Sequence, residues 1–322
     1  SRDKMMVESK GGYYPMPPIM PTWNENRENY QDKQANPIHQ TVKDAIATFS
    51  IDTDTGSYAN VRRMLNNGQL PPTDAVRTEE LINYFNYNFN QARKLGNAPF
   101  LVDTETVVSP WQPTNRIIKV AIKAEDSLVK ANQALPPANL VFLVDVSGSM
   151  SDKDKLPLAK SALKMLTQQL RPQDTISIVT YSGSTQVALP ATAGSEKGKI
   201  LAAIEQLSAG GSTNGEGAIR LAYQQAHASF KKTGINRILM MTDGDFNVGV
   251  SGVNEMLDII RRERDSGVSL STFGFGEGNL NDHMMEQVAD NGNGNYSYID
   301  SLSEAKKALV DEMSATFNTV EK

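Results

Sequence analysis

Two apolar segments of the chain each stop at an aspartate, and hydroxyl side chains follow the first of them. The apolar run 140–144 ends at Asp145, after which Ser147 and Ser149 occupy alternate positions. One carboxylate and two hydroxyls around a single point are the hard oxygen ligands that Mg²⁺ prefers. Taken alone, the segment also fits a tight turn whose serines only satisfy backbone groups.

A glycine-containing loop supplies a further oxygen ligand. The loop 208–215 carries Gly210 and Gly211 shortly before Thr213. Paired glycines lack the Cβ atoms that would keep a backbone away from an ion. Thr213 or Asn214 also suits the N-cap of the helix predicted to follow, and capping and metal binding are compatible.

The second apolar segment, 238–242, ends at Asp243. Two carboxylates at the carboxyl ends of strands in one sheet repel each other unless a cation lies between them. The sequence therefore predicts a divalent-cation site. Its five predicted ligands are Asp145, Ser147, Ser149, Thr213 and Asp243.

Two other acidic groups are weaker candidates for a second ion. Asp245 and Asn247 place oxygen ligands at alternate positions, as in a calcium loop. However, the glycine and the later bidentate glutamate of that loop are missing. Asp52 and Asp54 point to one side of a predicted strand. We favour instead a capping role for Thr55 at the start of the next helix.

The pattern after residue 139 alternates strands and helices. Such alternation is typical of an α/β fold whose mostly parallel sheet is covered on both faces. We predict a doubly wound, Rossmann-like sheet, in which 186–191 is an antiparallel edge strand because it returns quickly after the strand 174–181. The other predicted strands are 140–145, 236–242, 268–275 and 295–299, and the predicted helices are 156–170, 196–208, 215–231, 253–265, 281–290 and 303–319. Ligands of such sheets bind beyond the carboxyl ends of the strands, which is where Asp145 is expected.

The region before the sheet divides into two predicted parts. Residues 1–45 are rich in Pro, Tyr and Asn without apolar periodicity, which predicts a flexible tether. Residues 46–134 predict a small α+β region, and 135–322 form the α/β domain. Within 46–134 we expect a short strand at 49–52, helices at 57–67 and 77–85, and strands at 100–108 and 116–124.

Composition excludes several classes of protein. The net charge of −5 gives no electrostatic footprint for nucleic acid. The absence of cysteine excludes disulfides, thiolate metal sites and a cysteine nucleophile. No apolar run is long enough to span a bilayer, and the first residues are not a secretory signal. Because the chain begins at Ser1 rather than Met, we expect that a preceding segment has been removed.

Catalysis is disfavoured. His39, His227 and His283 match neither a zinc spacing nor a triad order, and no G-x-S-x-G motif is present. A hydrolase that used the ion to activate water would need a general base close by, and Asp245 is the only obvious candidate. We predict that the protein is not an enzyme.

The ordered set of Asp145-x-Ser147-x-Ser149, Thr213 and Asp243 resembles the metal-ion-dependent adhesion site of von Willebrand factor type A (vWA) domains. The resemblance covers about residues 139–319 and includes the last strand, helix and strand of that fold. It implies a bound Mg²⁺, with Mn²⁺ or Ca²⁺ as alternatives, and a protein partner that supplies an Asp or Glu side chain to the ion. It also implies that Thr213 and Asp243 exchange direct and water-mediated coordination when the partner binds.

The segments 49–58, 61–63 and 70–72 are similar to the N-terminal region of bacterial envelope proteins that carry a vWA domain, many of them lipoproteins. This resemblance implies a location in the bacterial cell envelope, with a lipid anchor upstream of Ser1, and a further region after Lys322. The cytoplasm is the alternative location, for a vWA assembly factor that works with an ATPase. A third alternative is an envelope scaffold in which the metal only stiffens the loops.

Overall fold

The computed structural model describes residues 27–32, 36–49, 51, 53–87, 93–94, 96–97, 100–124, 136–213, 215–246 and 249–311. The described chain contains two N-terminal helices, a three-stranded antiparallel sheet, and a six-stranded sheet covered by helices. It therefore has the α/β architecture with a smaller α+β region in front that the sequence predicted.

The first helix, α1, spans Gly56–Asn66, and the second, α2, spans Thr78–Asn83. Gly68 follows the end of α1 and has a φ of +71°, a conformation that glycine adopts without steric cost. Both helices were predicted to within two residues at either end. The strand predicted at 49–52 is not present at residues 49 and 51, and residues 50 and 52 lie outside the described part.

Three strands form a small antiparallel sheet in the order β1-β2-β3. They are β1 (Arg93–Lys94), β2 (Phe100–Val108) and β3 (Arg116–Ala124), of which the two longer strands were predicted. Side chains alternate across a strand, so one face of the β2–β3 hairpin carries apolar side chains and threonines, with Arg116 at its end, whereas Asp103, Glu105 and Lys119 share the other. The two faces of the hairpin thus differ in polarity.

The six-stranded sheet has the order β6-β5-β4-β7-β8-β9, in which only β6 is antiparallel to its neighbour. Its strands are β4 (Ala138–Asp145), β5 (Thr175–Tyr181), β6 (Thr185–Ala193), β7 (Ile235–Thr242), β8 (Val268–Phe275) and β9 (Tyr296–Ile299). The predicted antiparallel strand is confirmed at the edge. Strand order changes direction between β4 and β7, and a crevice opens at such a switch point.

Helices cover both faces of this sheet. They are α3 (Leu156–Gln169), α4 (Lys197–Gln206), α5 (Glu216–Ala228), α6 (Gly249–Arg264), α7 (Asp282–Asn291) and α8 (Leu302–Lys306), which continues as a π-helical turn over Lys307–Asp311. Side chains of β4 alternate between two apolar cores: Phe142 packs on the side of α3, α4 and α8, and Leu143 on the side of α5, α6 and α7. Burial on both faces explains why β4 is apolar from residue 140 to 144 and why it fixes the position of Asp145.

The last helix was predicted to run to residue 319, but the described part ends at residue 311. Among the described residues, no helix is both long enough and apolar enough to cross a membrane.

Candidate metal centre

Asp145 lies at the carboxyl end of β4, the central strand, and is fully buried. Its Oδ1 accepts a hydrogen bond from the backbone N–H of Ser147 at 2.9 Å, and its Oδ2 accepts one from the hydroxyl of Thr242 at 3.0 Å. Burial, together with the negative charge of Asp243, raises the pKa of Asp145 to about 6. The structure therefore holds a carboxylate whose ionisation is disfavoured as long as no cation compensates it.

Ser147 and Ser149 place their hydroxyl oxygens next to each other, 3.1 Å apart. Ser147 is buried, and it precedes a 3-10 turn over Gly148–Ser151 without a described side-chain bond that caps this turn. The first serine is thus not used as a cap. Its hydroxyl is a neutral oxygen atom beside the Asp145 carboxylate.

The loop that carries Thr213 is tied to the loop that carries the serines. Gly148 donates its backbone N–H to the carbonyl of Gly211 at 3.0 Å, and Gly210 donates to the carbonyl of Val146 at 2.8 Å. Gly211 has a φ of +85°, in the left-handed region that favours glycine. These backbone hydrogen bonds hold the two loops together.

Thr213 itself is half-buried on this loop. The N-cap of α5 is Gly215, so the capping role considered for Thr213 is wrong, and Asn214 lies outside the described residues. The Thr213 hydroxyl is thus not engaged as the helix cap.

Asp243 follows β7, the strand beside β4, and is buried. Its Oδ1 accepts from the backbone N–H of Asp245 at 3.2 Å. Its Oδ2 accepts from the ammonium of Lys155 at 3.0 Å and from the amide of Asn279 at 3.4 Å. Gly244 turns the chain with a φ of +91° directly against residues 279–281.

Lys155 and Asn279 were not predicted from the sequence. Lys155 precedes a helix, where a lysine is normally solvated, and Asn279 lies in a polar loop. The sequence around these two positions does not indicate a contact with Asp243, because both contacts depend on how the loop after β8 folds over the sheet. Only proximity to Asp243 in three dimensions reveals them.

The donor set fits a hard divalent cation. Two buried carboxylates and one buried ammonium, from Asp145, Asp243 and Lys155, leave a net negative charge at the end of the central strands. Within the described ranges, His, Cys, Asp and Glu side chains form no group of three or more that could hold a metal. A site here would consequently rely on the hydroxyls of Ser147, Ser149 and Thr213, and neutral oxygens suit Mg²⁺ more than a soft metal.

Of the other acidic candidates, Asp54 lies away from this centre. Asp54 accepts a hydrogen bond from the backbone N–H of Tyr296 at 2.8 Å, while Asp52 lies outside the described residues. Thr55 occupies the N-cap position of α1, as predicted, but no capping hydrogen bond of its side chain is described. Asp245 is exposed, and Asn247 lies outside the described part.

An N-terminal segment, residues 27–30, contacts the loop that carries Asn279. The backbone N–H groups of Arg27 and Asn29 donate to the carbonyls of Gly278 and Leu280, both at 2.8 Å. Glu28 accepts from the backbone N–H of Gly278 at 2.9 Å. Residues 27–30, which fall within the predicted tether, thus form a strap over the loop beside Asp243.

Comparisons with known proteins bear on the family of the chain. A model of the von Willebrand factor type A domain matches residues 139–312, and a second model, described as von Willebrand factor, matches residues 24–119. Protein YfbK of Escherichia coli (strain K12) is 50% identical over 304 residues, which are 93% of this chain and 52% of YfbK. Inter alpha-trypsin inhibitor heavy chain 4 of Mus musculus is 29% identical over 163 residues, 48% of this chain and 17% of that protein.

The chain thus spans about half the length of YfbK and less of the inhibitor heavy chain. Among solved structures, BatB from Bacteroides thetaiotaomicron superposes with a TM-score of 0.48 at 22% identity, covering 55% of this chain and 98% of BatB. The names of these relatives describe no catalytic activity. Because the type A family model spans more than half of the sequence, the chain belongs to the von Willebrand factor type A domain family, whose members are typically protein-interaction modules.

Proposed function

We propose that this protein is a non-catalytic module that binds a protein partner through a divalent cation, for which Mg²⁺ is the first candidate. The observation that carries the proposal is the pair of buried carboxylates, Asp145 and Asp243, which share a single buried ammonium, Lys155, and so keep one excess negative charge beside the adjacent hydroxyls of Ser147 and Ser149. Buried charges without a counter-charge are costly, and a bound cation would remove that cost.

The hydroxyl and carboxylate residues of the site would contact the ion in different ways. Ser147, Ser149 and Thr213 offer neutral oxygens, which bind without cancelling positive charge. Asp243 already has both carboxylate oxygens engaged by Asp245, Lys155 and Asn279, which favours contact with the ion through water. The ion would supply a positive centre with an open coordination position, and an Asp or Glu side chain of the partner is the natural ligand for it.

Isothermal titration of Mg²⁺ and Mn²⁺ tests the metal site. Asp243→Asn should weaken binding at least about tenfold, since it removes one of the two carboxylates that attract the ion. Asp174→Asn is the matched control, because Asp174 is another buried carboxylate but lies at the opposite end of the sheet, where it binds Arg171 and the backbone of Ala138. Absence of binding by the wild-type protein would refute the proposal.

The location proposed for this activity is the bacterial cell envelope, with a lipid anchor upstream of Ser1. Capture of a partner from envelope extract should be lost with chelator and with Ser147→Ala, because both remove the ion or a ligand of it. If metal raises the melting temperature but no capture depends on it, the ion serves only to stiffen the loops. A partner found only in cytosolic extract would favour an assembly role beside an ATPase instead.

A further inference from the structure

Lys155 is a buried cation that the proposed ligand set does not use. Its side chain is 5% exposed, and its ammonium lies 3.0 Å from Oδ2 of Asp243, whose side chain is fully buried. Lysine is rarely buried without a partner, since taking its charge out of water is costly. The ion pair with Asp243 explains how the charge is tolerated.

The surrounding backbone fixes the position of the ammonium. Lys155 precedes α3, and its aliphatic stem packs against Gly276, where an added Cβ would overlap it. Gly276 has a φ of +71°, and its carbonyl accepts a hydrogen bond from the hydroxyl of Tyr298 at 2.6 Å. The stem is therefore confined between α3 and the loop after β8, which restricts where the ammonium can lie.

From this geometry we infer that Lys155 is a specificity-determining residue, which gives the metal-loaded site the net positive charge that selects an anionic partner side chain. The inference rests on the proposed function. Asp145, Asp243 and Lys155 together carry one net negative charge, and a divalent ion would turn this into one net positive charge. Without the ammonium, the same loaded site would be neutral.

Asp245, the next carboxylate along the chain, is exposed, so its charge is screened by solvent. Asp243 interacts with it unfavourably, and Arg27 and Lys155 interact with it favourably. The carboxylate of a partner would neutralise the site, whereas a neutral amide of the same shape would leave it charged. Lys155 thus favours Asp or Glu over Asn or Gln in the partner.

The same ammonium repels the incoming ion. Removing its charge should therefore strengthen metal binding and weaken carboxylate binding. A merely structural role predicts something different, because a loosened site would bind both the metal and the carboxylate more weakly. The two roles are distinguished by the direction of the two changes.

The test uses Lys155→Met, which keeps the length and apolar stem of the side chain, and Lys155→Gln, which keeps a donor to Asp243 without the charge. Titration calorimetry measures Mn²⁺ binding, and water-proton relaxation of the Mn²⁺-saturated protein measures binding of acetate, with acetamide as the neutral probe. Lys160→Met is the control, since Lys160 lies one turn further along α3 and donates to the carbonyls of Glu205 and Leu207.

We expect either Lys155 variant to bind Mn²⁺ about tenfold more tightly and acetate about tenfold more weakly than the wild type, with acetamide binding and the control unchanged. The inference would be overturned if the affinities for Mn²⁺ and acetate fall together, or if both stay unchanged in both variants. Either result would leave the metal site in place. A wild-type protein that binds no Mn²⁺ would overturn this inference and the proposed function together.

Discussion

At the scale of single residues, Asp145 links the stability of the metal-free protein to pH. Its pKa rises from 3.8, the value expected in the unfolded chain, to about 6 in the folded protein because the carboxylate is buried beside Asp243. A raised carboxyl pKa contributes stability that is present below about pH 4 and is lost as the pH rises through about 6. The shift corresponds to about 3 kcal/mol, at about 1.4 kcal/mol for each pKa unit.

Asp145→Asn isolates this contribution, because the amide stays neutral and can still accept from the Ser147 backbone. With chelator present, we expect the wild type to lose up to about 3 kcal/mol of unfolding free energy relative to the variant between pH 4 and pH 7.5. Urea unfolding at a series of pH values measures the difference. A difference that does not vary with pH would contradict the assignment of the raised pKa to Asp145.

The predicted ligands and the two residues of the site that were not predicted differ in what determines their positions. Asp145 and Asp243 were found because each ends an apolar run, and parallel strands bring their carboxyl ends to one edge. Lys155 and Asn279 reach Asp243 only because the loop after β8 turns back over the sheet at Gly276. Such loop contacts leave no periodic pattern in a sequence.

At the scale of elements, the strap of residues 27–30 holds the loop beside the metal centre. Glu28 joins it to α1, since its carboxylate accepts from Arg63 at 2.9 Å and from the backbone of Gly278 at the same distance. The side chains of Glu28 and Arg63 are 4% and 9% exposed, so this pair is shielded from solvent. Loss of the Glu28 charge should therefore free both the strap and the loop.

We expect Glu28→Gln to cost about 2 kcal/mol of stability, because a shielded guanidinium loses its counter-charge. Amide hydrogen exchange should become faster at Gly278 and Asp282, which donate to the strap. Glu277→Gln is the control: Glu277 also contacts Arg63, at 3.3 Å, but it is exposed, and such pairs contribute little. Equal exchange in both variants would show that the strap does not hold the loop.

The helices and strands of the α/β domain were predicted closely, whereas the strap was not. Apolar periodicity marks each buried element, and β4, with eight buried residues, is the clearest case. The segment Arg27-Glu28-Asn29-Tyr30 binds through backbone hydrogen bonds and an ion pair, and it has no apolar face that could reveal it. Its polar composition is also typical of a tether, which is what the sequence predicted for residues 1–45.

At the scale of the whole molecule, helix α1 packs against the last strand of the large sheet, and α2 packs against α1. The Tyr296 ring of β9 lies so close to Gly56 that an added Cβ would overlap it. Arg77 contacts both Glu80 and Asp282 in a buried ion network, and Glu80 also accepts from the backbone of Ser57 at 2.7 Å. These contacts tie α1 and α2 to the start of α7, so we expect the helices and the sheet to unfold together.

Arg77→Met tests this cooperativity, because it leaves two buried carboxylates, Glu80 and Asp282, without their shared cation. Removing one partner of a buried ion network costs about 3 to 5 kcal/mol, and here the cost should lower the melting temperature of the whole described fold. Arg116→Met, on the exposed strand β3, should change stability by no more than about 0.5 kcal/mol.

Calorimetry and circular dichroism should give one coincident transition in both variants, since the sheet edge at Tyr296 and Tyr298 is covered by α1 and by the side chain of Arg63. Separate melting of α1 and α2 in Arg77→Met would show instead that the α/β domain folds independently of the helices that cover it.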